Sequence, residues 1–315
     1  MTLQLGFHIG QQNLDLPALR TLWQDLDQRG ADWISLWDHF YEAPPANGTQ
    51  DHFEAVSLLG ALAADTANAR IGCLVFYVGY RNPALLAKIA TTLDHLSNGR
   101  FELGLGAGWH SQEAHAYGYA FPGIGARLDM LDEATSIVRG MLSQPRTDFK
   151  GEYFSVNDVS NLPTPLQATL PIWIGGLGEK RTLKIVARQA NGWNAAYVSP
   201  KEFGRLNGVL NDWCSRLGRD PSTLRRSVNL SFHLGLTQTD IAREEDRIAS
   251  DWGPGASRIR AGSLLCRPNE AIDRILAYHA EGAELINVAL RAPWQADALN
   301  CYLNEIMPAV RAETA

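Results

Sequence analysis

Cysteine is scarce in this chain. Cys73, Cys214, Cys266 and Cys301 stand far apart, and no C-x-x-C pair occurs. That spacing suggests neither a zinc knuckle nor a disulfide framework. Long apolar runs are also missing: no stretch approaches the roughly 18 apolar residues of a membrane-spanning helix. The opening "MTLQLGFHIG" has no cationic start and no extended apolar core, so it reads as a first strand rather than a signal peptide. A cytoplasmic protein is the expectation. A basic excess is missing too, with 28 Lys and Arg against 34 Asp and Glu and a net charge of −6. That argues against a broad nucleic-acid surface and leaves room only for a local basic groove. No G-x-S-x-G occurs, so an esterase-type nucleophile elbow is unsupported. His110 and His115 are five apart, not i, i+4, and no H-E-x-x-H frame surrounds them, so no metal site is expected.

What the chain has is a repeated alternation. Hydrophobic residues make up 45% of its 315 positions, enough for a large core. Short apolar runs at 3–9, 32–37, 70–78, 100–107, 171–176, 192–198, 225–236 and 283–290 read as strands. Helical patterns fall between them, at 14–29, 51–66, 82–97, 125–143, 179–190, 200–217 and 268–281, and a last one at about 295–311. Strands that are almost wholly apolar belong in a parallel sheet covered on both faces. Eight β/α units predict an α/β fold, a (β/α)8 TIM barrel, with insertions after strands 4 and 7 and residues 1–315 as one domain. The loop-rich 144–170 and the Gly-rich 238–262 are those insertions. A doubly wound Rossmann-type domain with an appendage is the second reading.

In a barrel, chemistry sits on the loops after the strands. Asp38 and His39 follow strand 2, and a carboxylate beside an imidazole can orient a substrate and move a proton. An Asp cap next to a solvated His is an equally good reading of the spacing. "GLGAGWH" (104–110) ends strand 4. A dinucleotide fingerprint needs a sixth-position glycine, and Trp109 occupies it, so the fingerprint fails. What remains at Gly106, Ala107 and Gly108 is a backbone nearly free of side chains, open to a flat ring or explained by a tight strand exit. "IGGLGEKR" (174–181) sets Gly175, Gly176 and Gly178 before a helix starting near Glu179, with Lys180 and Arg181 adding charge, which suits an anion. Trp37, Phe40, Tyr41, Phe53, Phe76, Tyr77, Tyr80 and Trp109 cluster near strand ends and are candidates for core or for the walls of an apolar pocket.

Taken together, "SLWDHF" (35–40), "YRNPALLAKIATTLDHLSNGRFELGLGAGWHSQEAHAYG" (80–118), "PIWIGGLGEKRTLKIVARQANGWN" (171–194) and "RPNEAIDRILAYHAEGAELINVAL" (267–290) resemble the luciferase-like monooxygenase superfamily over nearly the full chain. Within it, "YRNPALLAK" and "GLGAGWHSQEAHAYG" are most similar to the group dependent on the deazaflavin coenzyme F420. The resemblance implies a barrel with the cofactor ring over its C-terminal mouth and a non-prolyl cis peptide, by position Leu74-Val75, propping that ring. It implies that His39 handles a proton and that Asp38 positions ring or substrate. It also implies that Gly106, Ala107, Gly108 and Trp109 lie along the ring edge, and that Gly175, Gly176, Gly178, Glu179 and Lys180 hold phosphate and tail. Some sugar-phosphate dehydrogenases of the superfamily carry Glu where this chain has Trp109, so oxidation of a sugar phosphate is in doubt.

Three functions follow as expectations. The first is an F420-dependent oxidoreductase transferring a hydride to or from a small organic substrate. The second is an FMN-dependent monooxygenase using oxygen and reduced flavin. The third is a non-catalytic flavin-binding barrel. A homodimer is expected from the resemblance alone.

Overall fold

The computed structural model describes residues 2–43 and 47–315, so Met1 and residues 44–46 of the 40–52 loop lie outside the described residues. Among the described residues, ten strands follow in chain order. They are β1 (Gln4–Ile9), β2 (Trp33–Leu36), β3 (Arg70–Tyr77), β4 (Phe101–Gly106), β5 (Thr147–Lys150), β6 (Ser155–Val159), β7 (Ile172–Gly175), β8 (Gly192–Ala196), β9 (Arg225–Ser231) and β10 (Leu285–Leu290). Eight of them close a parallel barrel in the order β1-β10-β9-β8-β7-β4-β3-β2. The seam is β1 against β10, in register from Gln4 opposite Leu285 to Ile9 opposite Leu290. Every residue of β2, β4 and β10 is buried. Helices cover the outside and side chains fill the lumen, which is why these strands read as unbroken apolar runs.

Local chemistry starts the helices where the sequence places them. Asp15 caps Leu16–Gln28 by accepting from the Ala18 N–H at 2.7 Å. Asn82 caps Pro83–Leu96, with Pro83 at the position where a missing N–H costs nothing. At the N-terminal end of the barrel, buried Glu102 takes Arg70, Arg225 and the Trp173 indole N–H, sealing that face with a charge network. Higher in the lumen, the Asn194 amide donates to Ser227 Oγ (2.8 Å) and Asn229 Oδ1 (3.0 Å), and the Asn287 amide donates to the same Asn229 oxygen (3.1 Å).

The barrel departs from regularity once among its strand pairs. The β3–β4 register shifts between Cys73 and Phe76, and the Leu74–Val75 peptide within that bulge is cis. This is where the resemblance implied such a bond.

Four sequence expectations need adjustment. The 144–170 stretch is not all loop: β5 and β6 form an antiparallel hairpin. Their sequences, TDFK and SVNDV, are too short and polar to stand out. The helix read at 51–66 begins only at Ala55, because the Glu54 carboxylate accepts from the Val56 and Ser57 N–H groups and fixes the start. Strand 225–236 stops at Ser231. The helix expected near Glu179 runs Thr182–Gln189, so residues 176–181 are a longer turn than the glycines suggested. After β9, the insertion holds helices Gln238–Trp252 and Ala256–Ala261.

Candidate active site at the barrel mouth

His39 follows β2, and its imidazole is held from both sides. Nδ1 lies 3.1 Å from one Glu113 oxygen and 3.3 Å from the other. On the opposite edge, the Trp109 indole N–H donates to Nε2 at 3.2 Å. An indole nitrogen can only donate and a carboxylate can only accept, so the two partners define one tautomer: Nδ1 carries the hydrogen and Nε2 carries the lone pair. Trp109 stands edge-on to His39, ring centroids 5.2 Å apart, and is 60% exposed. His39 thus presents a lone-pair nitrogen beneath an exposed aromatic ring.

Glu113 is the hub. Fully buried, it also accepts from the Phe40 N–H (2.7 Å), the Tyr41 N–H (2.9 Å) and the Tyr80 hydroxyl (2.6 Å). It ties the loops after β2, β3 and β4 together. Burial alone raises a carboxyl's pKa; here His39, Tyr80 and the Tyr41 N–H overcome it and hold Glu113 at about 2. Burial and Glu113 together push the Tyr80 hydroxyl well above its ordinary value.

Asp38 sits one residue earlier and faces elsewhere. Its oxygens take Arg81 Nη1 at 2.8 and 2.7 Å and the Tyr77 N–H at 3.1 Å. Arg81 also reaches Glu54 at 2.8 Å. Burial pushes the Asp38 carboxyl up to about 6, against the pull of Arg81. The carboxylate already has partners in Arg81 and the β3 exit, so it anchors the segment that carries His39. His8, near the end of β1, binds Ser35 Oγ through Nδ1 at 2.9 Å. Burial, Arg291 and His39 push His8 down to about 3, so it is neutral across the physiological range.

The glycines of β4 and β7 have a definite neighbour. A Cβ on Gly106 would come within 2.4 Å of Val75 Cγ2, and one on Gly175 within 2.9 Å of Val75 Cγ1. At Gly104 it would meet the Cys73 carbonyl at 2.1 Å and Val75 Cγ1 at 3.2 Å. Gly106 and Gly175 lack side chains because the bulged Val75 fills the space, and Gly104 chiefly because the Cys73 carbonyl does. The bare backbone foreseen from sequence is therefore packed against protein at Gly106 and Gly175. Gly108, at φ +71°, is a separate case: its added Cβ would meet the Tyr77 ring at 2.6 Å. Ala107 offers its carbonyl to Arg127 Nε at 3.0 Å.

The turn after β7 leaves donors unspent. Gly176 takes φ +135°, and its N–H goes to the Asn194 carbonyl. The N–H groups of residues 177–181 donate to no backbone acceptor among the described residues. Gly178 lacks room for a side chain because a Cβ would meet Thr182 Oγ1 at 2.7 Å. The Glu179 carboxylate pairs with Arg205 at 3.0 Å and its carbonyl accepts from the Trp213 indole N–H at 2.8 Å, so only its own N–H is free for a ligand. Lys180, Arg181, Lys184 and Arg188 line one shallow groove with Asp132. Arg181 pairs with Asp129 and Arg188 with Asp132; Lys180 and Lys184 have no carboxylate partner among the described residues. Free N–H groups beside two unpaired ammonium groups suit a phosphate with further negative charge behind it.

Sequence reasoning named His39 but passed over Glu113, Tyr80 and Arg81 as working side chains. All three lie inside the quoted 80–118 block, and the visible signal was an acid in the first turn of the short helix after β4.

Residues 3–285 match the luciferase-like monooxygenase family. The chain belongs to that family. It is 34% identical over 223 residues to an uncharacterised protein of Mycobacterium tuberculosis, 66% of this chain and 75% of the relative. It is 30% identical over 234 residues to the F420-dependent glucose-6-phosphate dehydrogenase of Microbacterium testaceum, covering 72% and 66% respectively. The pyrimidine monooxygenase RutA of Acinetobacter baylyi is 29% identical over 195 residues, 60% of this chain and 48% of that protein. Among solved structures, an F420-dependent secondary alcohol dehydrogenase in complex with an F420–acetone adduct superposes with a TM-score of 0.86 at 19% identity, covering 98% of this chain and 99% of that one. That likeness concerns the fold.

Proposed function

We propose that this protein is an F420-dependent oxidoreductase acting on a small organic substrate, with His39 as its proton-handling residue. The observation that carries the reading is the fixed tautomer of His39, with Nε2 as a lone-pair nitrogen at the barrel mouth and Glu113 behind Nδ1. When bound, F420 supplies a two-electron carrier that accepts or donates hydride. The protein supplies the rest. A substrate hydroxyl that displaces the Trp109 N–H from Nε2 gives its proton to that nitrogen as the hydride leaves carbon. Glu113 then balances the imidazolium charge. In the reverse direction the same nitrogen returns the proton. Asp38 and Arg81 hold the His39 segment in place, and Trp109 excludes water from Nε2 until substrate arrives.

The turn at 176–181 and the groove beyond it support F420 over a shorter flavin. Residues 177–181 would hold a phosphate through their main chain, and Lys180 and Lys184 would meet the anionic tail that F420 carries and FMN lacks. The second reading, an FMN-dependent monooxygenase, is favoured by the likeness to the pyrimidine monooxygenase. Parallel titration of the purified protein with F420 and FMN separates the two. Saturable binding of F420 with weak FMN binding is expected, and tight FMN binding without F420 binding overturns the first reading. His39→Ala is expected to slow hydride transfer by about 10²–10⁴-fold with cofactor affinity retained. An unchanged rate removes His39 from the reaction.

A further inference from the structure

A second cavity opens at the same end of the barrel, beyond β9 and β10. It holds about 220 Å³ and is lined by Ser231, Phe232 and His233 at the end of β9, by Ala289 and Arg291 at the end of β10, and by Arg247 and Trp252 of the helix Gln238–Trp252, among others. The volume is below the ~300–1,000 Å³ of pockets for drug-sized ligands, so its occupant is small.

The charges of this cavity are unevenly matched. Arg247 is neutralised: Glu244 lies 3.6 Å away, Asp251 lies 3.7 Å away, and the guanidinium donates to the Pro293 and Arg291 carbonyls. His233 is likewise spent, with Nδ1 2.8 Å from Glu244 and Nε2 2.9 Å from Ser231 Oγ. Arg291 differs. No carboxylate lies within ion-pair distance of it among the described residues, and its partners are two hydroxyls, Tyr197 at 2.5 Å and Ser231 at 3.4 Å. Its Nε is shielded from solvent and donates to nothing. The rings of Trp37, Tyr197 and Trp252 each lie 5.2 to 5.3 Å from the guanidinium carbon. Arg291 is partly exposed, so a ligand entering the cavity can supply the counter-charge it lacks. Trp37 links this place to the candidate active site, since its ring also packs 5.1 Å from His8.

We propose that Arg291 anchors the carboxylate of a small organic acid in this cavity, so that the substrate of the oxidoreductase is a carboxylate-bearing molecule. The acid would place an oxygen on guanidinium Nη1, whose contact with Ser231 Oγ is long at 3.4 Å, and its hydrocarbon part against Phe232 and Trp252. Those aromatic walls favour an organic acid over inorganic phosphate. The inference deepens the proposed function and rests on it for the word substrate; the binding site itself does not need a cofactor.

The test is a fluorescence and calorimetric titration of the full-length protein with benzoate, its neutral isostere benzamide, and inorganic phosphate, each with and without F420. Benzoate is expected to bind about tenfold or more tightly than benzamide and phosphate, in keeping with a charge-assisted contact. Arg291→Gln is expected to abolish that preference, and Arg291→Lys to keep part of it. The wild-type comparison of benzoate with benzamide needs no variant, so a misfolded Arg291→Gln leaves it decisive. Equal binding of acid and amide overturns the proposal, as does phosphate matching benzoate, no benzoate binding at millimolar concentration, or a folded Arg291→Gln protein with unchanged benzoate affinity. Benzoate selectivity in a protein that fails to bind F420 upholds the acid site while sinking the oxidoreductase reading.

Discussion

His39 and Glu113 meet through the imidazole Nδ1, 3.1 Å from a carboxylate oxygen, although 74 positions separate them in the chain. The contact makes a tautomer the property of two loops rather than of one residue. It also joins the strength of the site to its geometry, because the same carboxylate holds two backbone N–H groups of the His39 loop.

The kinetic consequence is direct. Glu113→Gln keeps the shape and removes the charge that balances an imidazolium. We expect turnover to fall roughly 10- to 100-fold, with cofactor affinity changed less than about threefold. Steady-state rates beside a cofactor titration check this; equal losses in both would mark Glu113 as merely structural.

The stability consequence has a sign. Glu113 sits at about 2 in the folded protein, below its ordinary 4.5, so the folded state favours the ionised form. The stabilisation is fully present above about pH 4.5 and is lost as pH falls toward 2, amounting to roughly 3 kcal/mol. Urea unfolding of wild type and Glu113→Gln at pH 7 and at pH 3.5 should show the gap between them shrinking in acid. A gap independent of pH contradicts the assignment.

Val75 and Gly106 offer a packing test. Gly106→Ala forces a methyl toward Val75 Cγ2 and is expected to cost about 1–3 kcal/mol. Val75→Ala in the same chain should recover much of that loss, giving a coupling energy in a double-mutant cycle. Without recovery, the glycine answers to something other than Val75.

The basic groove gives a cofactor-specific prediction. Replacing both Lys180 and Lys184 by Ala is expected to weaken F420 binding by about tenfold or more while shifting FMN binding little, since only the longer tail reaches them. Parallel titrations measure it, and equal losses for both cofactors would remove the groove from tail recognition.

The barrel was legible because its strands are buried on both faces, which leaves a plain apolar signature in segments such as LINVAL of β10. Asp38 and His39 were legible because a polar pair breaks the apolar run of β2. Glu113 was not, since an acid in the first turn of a helix ordinarily serves the helix dipole, and its partner lies in another loop. The glycines were legible only in part. Their pattern speaks of backbone without side chains, and only the folded β3 bulge says that Val75 takes the vacated space. The β5–β6 hairpin stayed hidden because strands of four and five mostly polar residues carry no periodicity worth reading.

The seam between β1 and β10 reaches beyond catalysis. Gln4 pairs with Leu285, and the Leu3 N–H donates to Thr314 Oγ1 at 3.3 Å. The ribosome must therefore deliver everything from Gln4 to Leu285 before β1 finds its second neighbour. Until then β1 exposes one unpaired edge, and closing so long a loop is a late, entropically costly event. A nascent chain stalled before β10 is thus expected to keep that edge open to mispairing.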